Sequence, residues 1–326
     1  MPDAVSYDPL LPVTFLDRSA LVYPDKPAVI YRDRRISYGE LGARSHRLAA
    51  ALETLGVGPG DRVAYLAPNI PAMLEGKFGP QRIGAILVPL NIRLAPREVA
   101  YILEHSGAKA LIFDSEWAPL VREVIALGTS VERFVQIVDT APQADDIPGP
   151  EYEEWLAAAP AAPAHPVTLD ERDTISINYT SGTTGFPKGV EYHARGAYLN
   201  AFGEAVEMAL QPESVYLWTV PLFHCNGWCF PWAVTLAGAT HVCLRKIVPA
   251  DIFSLIREHG VTHMCCAPTV LTSLYSAPDA APDSLAGVTI ATGGAPPAPQ
   301  VIRSIEGMGA RHRHLYGLTE TYGPHT

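Results

Sequence analysis

The sequence predicts an α/β fold of two doubly wound, mostly parallel sheets packed together. Short apolar runs of strand length alternate with amphipathic helical patterns through most of the 326 residues. Chains that alternate in this way form mostly parallel sheets covered by helices on both faces. A stretch rich in proline and alanine, residues 141–167, interrupts the alternation and indicates a long surface crossing. We therefore predict two α/β subdomains, residues 1–170, which end with this crossing, and residues 171–326.

In the first half, one helix has clear start and stop signals. Ser37 and Glu40 form a capping-box pair, and Gly56 follows a helical pattern whose leucines 41, 48, 52 and 55 share one face. The predicted strands are residues 62–66, 85–88, 110–113 and 134–138. Between them, helices are predicted at residues 70–83, 97–105 and 116–127.

In the second half the alternation resumes. Strands are predicted at residues 174–179, 215–220, 240–244, 261–264, 288–291 and 312–316. Helices are predicted at residues 195–208, 249–259 and 297–308. The basic run "RHRH" at residues 311–314 is interpreted as the polar edge of a strand.

Composition excludes several functional classes. Hydrophobic residues make up 48% of the chain and charged residues 18%, a balance typical of a globular enzyme. The net charge of −10 gives no electrostatic reason to bind nucleic acid. Apolar runs are too short for a membrane span, and the first residues lack the features of a signal peptide. We therefore expect a cytoplasmic protein without a nucleic-acid partner.

All five cysteines lie between residues 225 and 266. Their odd number favours reduced, buried thiols over a disulfide framework. His224, Cys225 and Cys229 resemble half of a zinc site, but no second Cys or His pair completes it.

The stretch "YTSGTTGFPKGV", residues 179–190, follows a predicted strand. A flexible surface loop is one interpretation, and a phosphate-binding loop is the other. Lys188 supplies a positive charge and Pro187 stiffens the backbone before it, which favours the phosphate-binding interpretation. The pattern differs from the Walker loop, because Gly189 follows the lysine where that loop has Ser or Thr. The residues available to phosphate are Thr180, Ser181, Gly182, Thr183, Thr184, Gly185 and Lys188.

This loop resembles the signature loop of the adenylate-forming enzymes, the superfamily of acyl-CoA synthetases, luciferases and nonribosomal adenylation domains. Further stretches resemble the family in the same order: "GDRVAYLAPN" at 60–69, "GAILVPLNIRL" at 84–94, "GGAPPAP" at 293–299 and "YGLTETYG" at 316–323. The stretch "PLFHCNGWCFPW" at 221–232 is most similar to short- and medium-chain or aryl acyl-CoA synthetases.

The resemblance implies an enzyme that joins a carboxylic acid to ATP as an acyl-adenylate and transfers the acyl group to CoA. It implies that the loop 180–188 holds the β- and γ-phosphates, that Thr319 donates to the α-phosphate and that Glu320 ligates Mg²⁺. The same resemblance places adenine between two walls. One wall is the turn formed by Gly293, Gly294, Ala295 and Pro296, and the other is the ring of Tyr316 with the adjoining Gly317. By position alone, Tyr316 is equally compatible with the core, and Glu320 with a solvated carboxylate.

The resemblance also implies a pocket for the acid, with His224 as a gate beside it. The expected walls are Trp228, Cys229, Cys266, Ala267, Pro268 and Gly293. Small apolar and aromatic walls suit an alkyl or aryl acid. The matching stretches contain no acidic residue that would hold the α-amino group of an amino acid, which argues against an amino-acid adenylation domain. Asp251 or Glu258 would change this only if one of them lay closer to the pocket than the pattern indicates.

The sequence ends at Thr326, whereas family members continue into a C-terminal lid that carries a catalytic lysine. We therefore expect the large N-terminal domain, truncated before the lid, with impaired turnover or binding of the adenylate only. Two alternatives stay open: a split ligase acting on a preformed acyl-adenylate, and a non-catalytic nucleotide-binding or interaction protein. Whether the chain forms a homodimer is also left open.

Overall fold

The computed structural model describes residues 7–165, 167–180 and 186–324. Within these ranges the helices are α1 Val13–Val22, α2 Tyr38–Thr54, α3 Pro71–Glu75, α4 Pro96–Ser106, α5 Ala118–Ala126, α6 Tyr152–Ala158, α7 Ala194–Glu207, the single turn α8 Cys225–Trp228, α9 Phe230–Ala237, α10 Pro249–His259, α11 Pro268–Tyr275 and α12 Pro299–Gly307. Short 3₁₀ turns occupy Pro80–Ile83, Ser115–Trp117 and Thr319–Thr321.

The strands of the same ranges are β1 Pro27–Tyr31, β2 Arg34–Ser37, β3 Arg62–Leu66, β4 Ile86–Pro89, β5 Ala108–Asp114, β6 Arg133–Ile137, β7 Thr174–Thr180, β8 Lys188–His193, β9 Val215–Leu217, β10 Thr240–Val242, β11 His263–Cys266, β12 Thr289–Gly293, β13 Arg311–Leu315, β14 Gly317–Leu318 and β15 Gly323–Pro324. Each strand predicted from the sequence is present, with bounds that differ by a few residues.

Two large sheets organise the molecule. One has the order β13-β12-β11-β9-β10-β1-β2 and the other the order β6-β5-β3-β4-β7-β8. Pairing is parallel except in the hairpins β1–β2 and β7–β8. The central strands are apolar along almost their whole length, as expected when helices cover both faces of a parallel sheet. The predicted fold class is confirmed.

Sheet membership does not follow chain order. The hairpin β1–β2 joins the seven-stranded sheet through β10, and the hairpin β7–β8 joins the six-stranded sheet through β4. Each sheet therefore contains strands from both halves of the chain. The boundary between residues 170 and 171 stays a prediction, and it falls just before a hairpin that pairs with earlier strands.

Helix α2 shows how the local signals act. The amide of Glu40 donates to Ser37 Oγ at 3.2 Å, which confirms the predicted cap. Leu41, Leu48 and Leu52 on its inner face are fully buried. Burial of each such side chain contributes roughly 1.5–3 kcal/mol, so this face attaches the helix to the core.

Two local predictions were wrong. The pattern at 70–83 predicted one helix, but α3 ends at Glu75 and a 3₁₀ turn begins at Pro80. Pro80 has no N–H to continue an α-helical ladder. The crossing at 141–167 is not wholly on the surface, because α6 buries Tyr152 and Trp155 in the main core.

The expectations for the cysteines and for the basic run are confirmed. All five cysteines are free and buried. The run "RHRH" lies in β13, the exposed edge strand of the seven-stranded sheet. In the part of the chain that the structure describes, no helix combines the length and the apolar character that crossing a membrane requires.

Candidate active site

Two cavities meet at His224 and Cys225, which line both of them. The larger has a volume of about 370 Å³ and lies at the carboxyl ends of β4 and β7. The smaller has a volume of about 150 Å³ and lies at the ends of β12 and β13. Ligands of open α/β sheets bind at such strand ends.

The larger cavity brings two predicted motifs together. Thr180, at the end of β7, and Thr319, in the 3₁₀ turn after β14, both line it. Tyr179 and Pro187 contribute to the same wall. Two threonines from distant parts of the sequence therefore line one cavity, and their hydroxyl groups are donors of the kind that phosphate oxygens accept from.

The phosphate loop is framed by a hairpin. Residues 181–185 lie outside the described residues, so Ser181, Gly182, Thr183, Thr184 and Gly185 have no structural account. On either side of them, Thr180 pairs with Lys188 across β7 and β8. The ring of Phe186 packs 5.3 Å from that of Tyr101 on α4. The side chain of Lys188 is exposed to solvent and thus accessible to an anion.

The smaller cavity is mostly apolar. Four of the residues predicted for the acid pocket line it: His224, Trp228, Ala267 and Gly293. The sequence reasoning missed its other walls, Val220, Pro221, Leu315, Gly323 and Pro324, together with Gly294 and Gly317, which were assigned to the adenine side. Leu315 is the apolar residue at the end of the polar strand 311–315, and this position could have suggested it as a wall of the cavity.

Three predicted pocket residues are placed elsewhere. Cys229 is fully buried and its thiol donates to the Tyr322 carbonyl at 3.1 Å. Cys266 is fully buried in the core beneath the seven-stranded sheet. Pro268 begins α11 and does not line the cavity. Asp251 and Glu258 are exposed on α10 and line neither cavity.

The segment between the cavities has an unusual backbone. Its φ angles are all positive: 40° at Cys225, 51° at Asn226, 68° at Gly227, 57° at Trp228 and 61° at Cys229. A left-handed conformation costs roughly 1–2 kcal/mol for each non-glycine residue. The surrounding contacts must therefore hold α8 in place, and strain of this kind concentrates at functional sites.

Part of that support comes from the first half of the chain. Asn69 donates through Nδ2 to the carbonyls of Trp218 and Val220, both at 2.9 Å, and accepts from the Leu222 amide at 2.7 Å. These three bonds fix the segment that leads into α8. Sequence reasoning missed Asn69, although an asparagine at the end of "GDRVAYLAPN" is its visible signal.

A buried lysine adds to this support. Lys77 donates to the Leu222 carbonyl at 2.8 Å and to Asn226 Oδ1 at 2.5 Å. The side chain is fully buried, and burial lowers the pKa of Lys77 well below its usual value. A neutral amine has two N–H donors, which these two acceptors satisfy. A lone lysine inside the apolar stretch "PAMLEGKFG" was the signal that sequence reasoning overlooked.

His224 lies at the junction as a neutral imidazole. Burial lowers the pKa of His224 below its usual value. Its Nε2 lies 3.9 Å from Cys225 Sγ, and this sulfur lies 3.2 Å from Thr319 Oγ1. The smaller cavity is thereby connected to the larger one through three adjacent polar groups.

The Thr319 turn is anchored from β8 and α7. Tyr192 donates its hydroxyl to the Thr319 carbonyl at 2.8 Å. Tyr322 stacks on Tyr192 with ring centroids 4.3 Å apart, and its carbonyl accepts from Asn200 at 3.2 Å. The turn is therefore held on a rigid frame while Glu320 stays exposed.

The predicted adenine walls leave the sheet side by side. Gly293 pairs with Leu315 in the parallel ladder of β12 and β13. The residues that follow, Gly294–Pro296 and Tyr316, are exposed, and Tyr316 has 58% of its surface accessible. Tyr316 is thus outside the core, and its ring is available to stack on a planar ligand.

The donor set also suits a hydrated divalent cation bound together with phosphate. Among the described residues, no group of three His, Cys, Asp or Glu side chains could hold a metal alone. Mg²⁺ is commonly bound by one or two carboxylates plus substrate phosphates. The exposed Glu320, adjacent to Thr319 at the larger cavity, fits that arrangement.

Comparisons with known proteins agree with this geometry. Residues 16–326 match a family described as AMP-binding enzyme. An acetate/butyrate–CoA ligase of Arabidopsis thaliana is 41% identical over 337 residues, covering 98% of this chain and 59% of that protein. A benzoate–CoA ligase of the same plant is 37% identical over 328 residues, covering 97% of this chain and 56% of that protein. The chain thus spans less than two thirds of the length of these relatives.

A solved structure is similar over nearly all of the chain. It is the inhibitor-bound N-terminal domain of FACL13 from Mycobacterium tuberculosis, with a TM-score of 0.87 and 29% sequence identity. The match covers 96% of this chain and 77% of that one.

Proposed function

The chain belongs to the family of AMP-binding enzymes, and on this basis we propose that it activates a carboxylic acid. The acid reacts with ATP to form an acyl-adenylate and pyrophosphate, and the thiol of CoA then takes the acyl group and releases AMP. One observation carries this proposal. Thr180 and Thr319, from two separate motifs, line a cavity of mixed polarity that joins a mostly apolar one at His224 and Cys225.

The geometry suits the first step. A carboxylate oxygen attacks the α-phosphorus, the bond to the bridging oxygen of pyrophosphate breaks, and both reactants are anions. Positioning and charge stabilisation therefore supply most of the catalysis. Thr319 would donate to the α-phosphate, while Thr180 and Lys188 would hold the departing phosphates. Glu320 would hold Mg²⁺, which when bound neutralises phosphate charge.

The arrangement of the two cavities orients the reactants. The apolar cavity takes the acyl chain, and the carboxylate of the acid faces the junction at His224. Tyr316 and Gly294 would enclose adenine at the ends of β13 and β12. His224, a neutral imidazole between the cavities that is partly accessible to solvent, would donate a hydrogen bond without adding a charge and so orient the acyl carbonyl in both steps.

Ligand-induced stabilisation tests the proposal on the chain itself. Thermal unfolding would be recorded with Mg·ATP and with a non-hydrolysable acyl-sulfamate mimic of butyryl-adenylate. A ligand at about a hundred times its dissociation constant adds roughly 2.7 kcal/mol, a shift of several degrees. We expect Lys188→Ala and Glu320→Ala to weaken the response to Mg·ATP. Lys246→Ala, which removes another exposed lysine, serves as the matched control.

The outcomes separate the alternatives. Stabilisation by the mimic, together with exchange of pyrophosphate into ATP, supports acid activation. Stabilisation without exchange favours a ligase that uses a preformed acyl-adenylate or a non-catalytic binding protein. Equal responses in Lys188→Ala, Glu320→Ala and the parent chain would refute the assigned phosphate site.

A further inference from the structure

We propose that Trp228 sets the upper size of the acid, so that the site takes short aliphatic acids and rejects medium-chain ones. The proposal rests on the function proposed above, because it assumes that the smaller cavity receives the acyl group. It commits to a tail of up to about six carbon atoms, since a cavity near 150 Å³ holds one benzene-sized molecule.

The volume of the cavity is the first argument. Its measured volume is about 150 Å³, and its walls include Val220, Leu315 and Trp228. Most of the surface around it is apolar, so a longer chain would gain from burial if space allowed. An octanoyl tail exceeds the space available, whereas a butyryl tail fits within it.

The second argument is that the indole cannot retreat. A Cβ on Gly293 would lie 2.7 Å from Trp228 Cη2, and a Cβ on Gly323 would lie 2.9 Å from Trp228 Cα. Gly293 therefore lies directly against the indole, and Gly323 lies against the backbone of Trp228, so the residue has no room to shift towards either position. Only 7% of the Trp228 surface is exposed.

The third argument is the rigidity of the backbone that carries this ring. Trp228 belongs to the left-handed segment 225–229, and its φ of 57° restricts the rotamers available to a large side chain. Lys77 holds the neighbouring Asn226 from the first half of the chain. The ring is thus a fixed end wall, unlike a flexible side chain that could fold away from a longer acid.

The test measures binding of acyl-sulfamate adenylate mimics with tails of two, four, six, eight and ten carbons. For the parent chain, we expect affinity to rise to four or six carbons and to fall at least tenfold at eight. For Trp228→Ala, we expect the optimum to move to eight or ten carbons, with at least a tenfold gain there over the parent chain.

A second variant covers the case in which Trp228→Ala does not fold. Ala267→Val adds two methyl groups to another residue that lines the cavity, and the extended backbone of Ala267 accepts a β-branched residue. We expect it to lose at least tenfold affinity for the six-carbon mimic while it keeps affinity for the two-carbon one. An unchanged size limit in Ala267→Val would overturn the assignment of this cavity.

Failures of the two proposals are distinguishable. If the parent chain binds no mimic, including the acetyl one, the proposed function fails and this inference fails with it. If it binds the ten-carbon mimic as tightly as the four-carbon one, acid activation stands and the size limit is wrong. A folded Trp228→Ala with an unchanged rank order would also refute the role of the indole.

Discussion

Two buried basic side chains connect the first half of the chain to the second, and their hydrogen-bond partners differ in charge. Arg245 forms ion pairs with Asp114 at 2.7 Å, Asp139 at 2.6 Å and Glu116 at 2.6 Å. Lys77, beside the active site, has only the neutral oxygens of Leu222 and Asn226 as partners among the described residues.

The difference separates a structural contact from a functional one. The guanidinium of Arg245 is charged and paired, so it holds β5 and β6 against the segment after β10. The amine of Lys77 lies where the backbone is left-handed and where Asn226 Nδ2 has no hydrogen-bond partner in the described part of the chain. At α8, a left-handed backbone and an unpartnered side-chain amide therefore coincide beside the cavities, and other contacts of the fold must offset their cost.

The largest expected effect comes from breaking the compensated cluster. Arg245→Met leaves the fully buried Asp114 without its cation, and loss of one partner of a buried pair costs about 3–5 kcal/mol. We expect urea unfolding at pH 7 to show a loss of that size, with little change in Lys246→Met. A loss below about 1 kcal/mol would mean that the cluster does not stabilise the fold.

Glu204 is a third buried ionisable group, and its interaction with Cys229 places it near α8. Burial, reinforced by Glu207, raises the pKa of Glu204 from 4.5 to about 9. Between these values the folded chain binds the proton and the unfolded chain does not, so stability falls as pH rises. We expect Glu204→Gln to stabilise the protein by about 1–3 kcal/mol at pH 7. The gain should disappear below pH 4.5 in a pH series of urea unfolding; a pH-independent gain would exclude the titration as its cause.

Lys77→Met tests the buried lysine whose partners are both neutral oxygens. It leaves two buried oxygens without a donor, which costs about 1–3 kcal/mol, but it also removes the penalty of burying an amine. We expect a net loss of about 1 kcal/mol at pH 7 and a clear loss of affinity for the butyryl-adenylate mimic, because α8 loses its anchor.

The pH dependence of this variant has a definite sign. Burial lowers the pKa of Lys77 in the folded state, so the unfolded chain binds more protons below the usual lysine pKa. The parent chain should therefore gain stability relative to Lys77→Met as pH rises from 7 towards 10. A constant difference across that range would indicate that Lys77 is charged in the folded state.

An effect on stability alone is expected far from Arg245 and Lys77. Ser37→Ala removes the cap of α2, whose hydroxyl accepts from the Glu40 amide. Loss of such a cap typically costs about 1 kcal/mol. Binding of the adenylate mimic should be unaffected. A change in affinity as large as that of Lys77→Met would mean that the effect of Lys77 is not specific to α8.

Local patterns were enough to predict much of this molecule. The strand and helix periodicities around residues 62–66 and 249–259 match β3 and α10, because alternation and capping act over a few neighbouring residues. The resemblance of the motifs at 179–190 and 316–323 implied that Thr180 and Thr319 would both contact phosphate; the two residues line the same cavity, and their roles stay predictions.

The tertiary structure decided the rest. Sheet membership of β1–β2 and β7–β8 depends on pairing between distant strands, for which local periodicity holds no information. Cys229 was expected in the acid pocket, yet the left-handed backbone of α8 turns its thiol towards Tyr322. That backbone is stabilised by Lys77, which lies far away in sequence, and such a contact forms only when the two halves pack together.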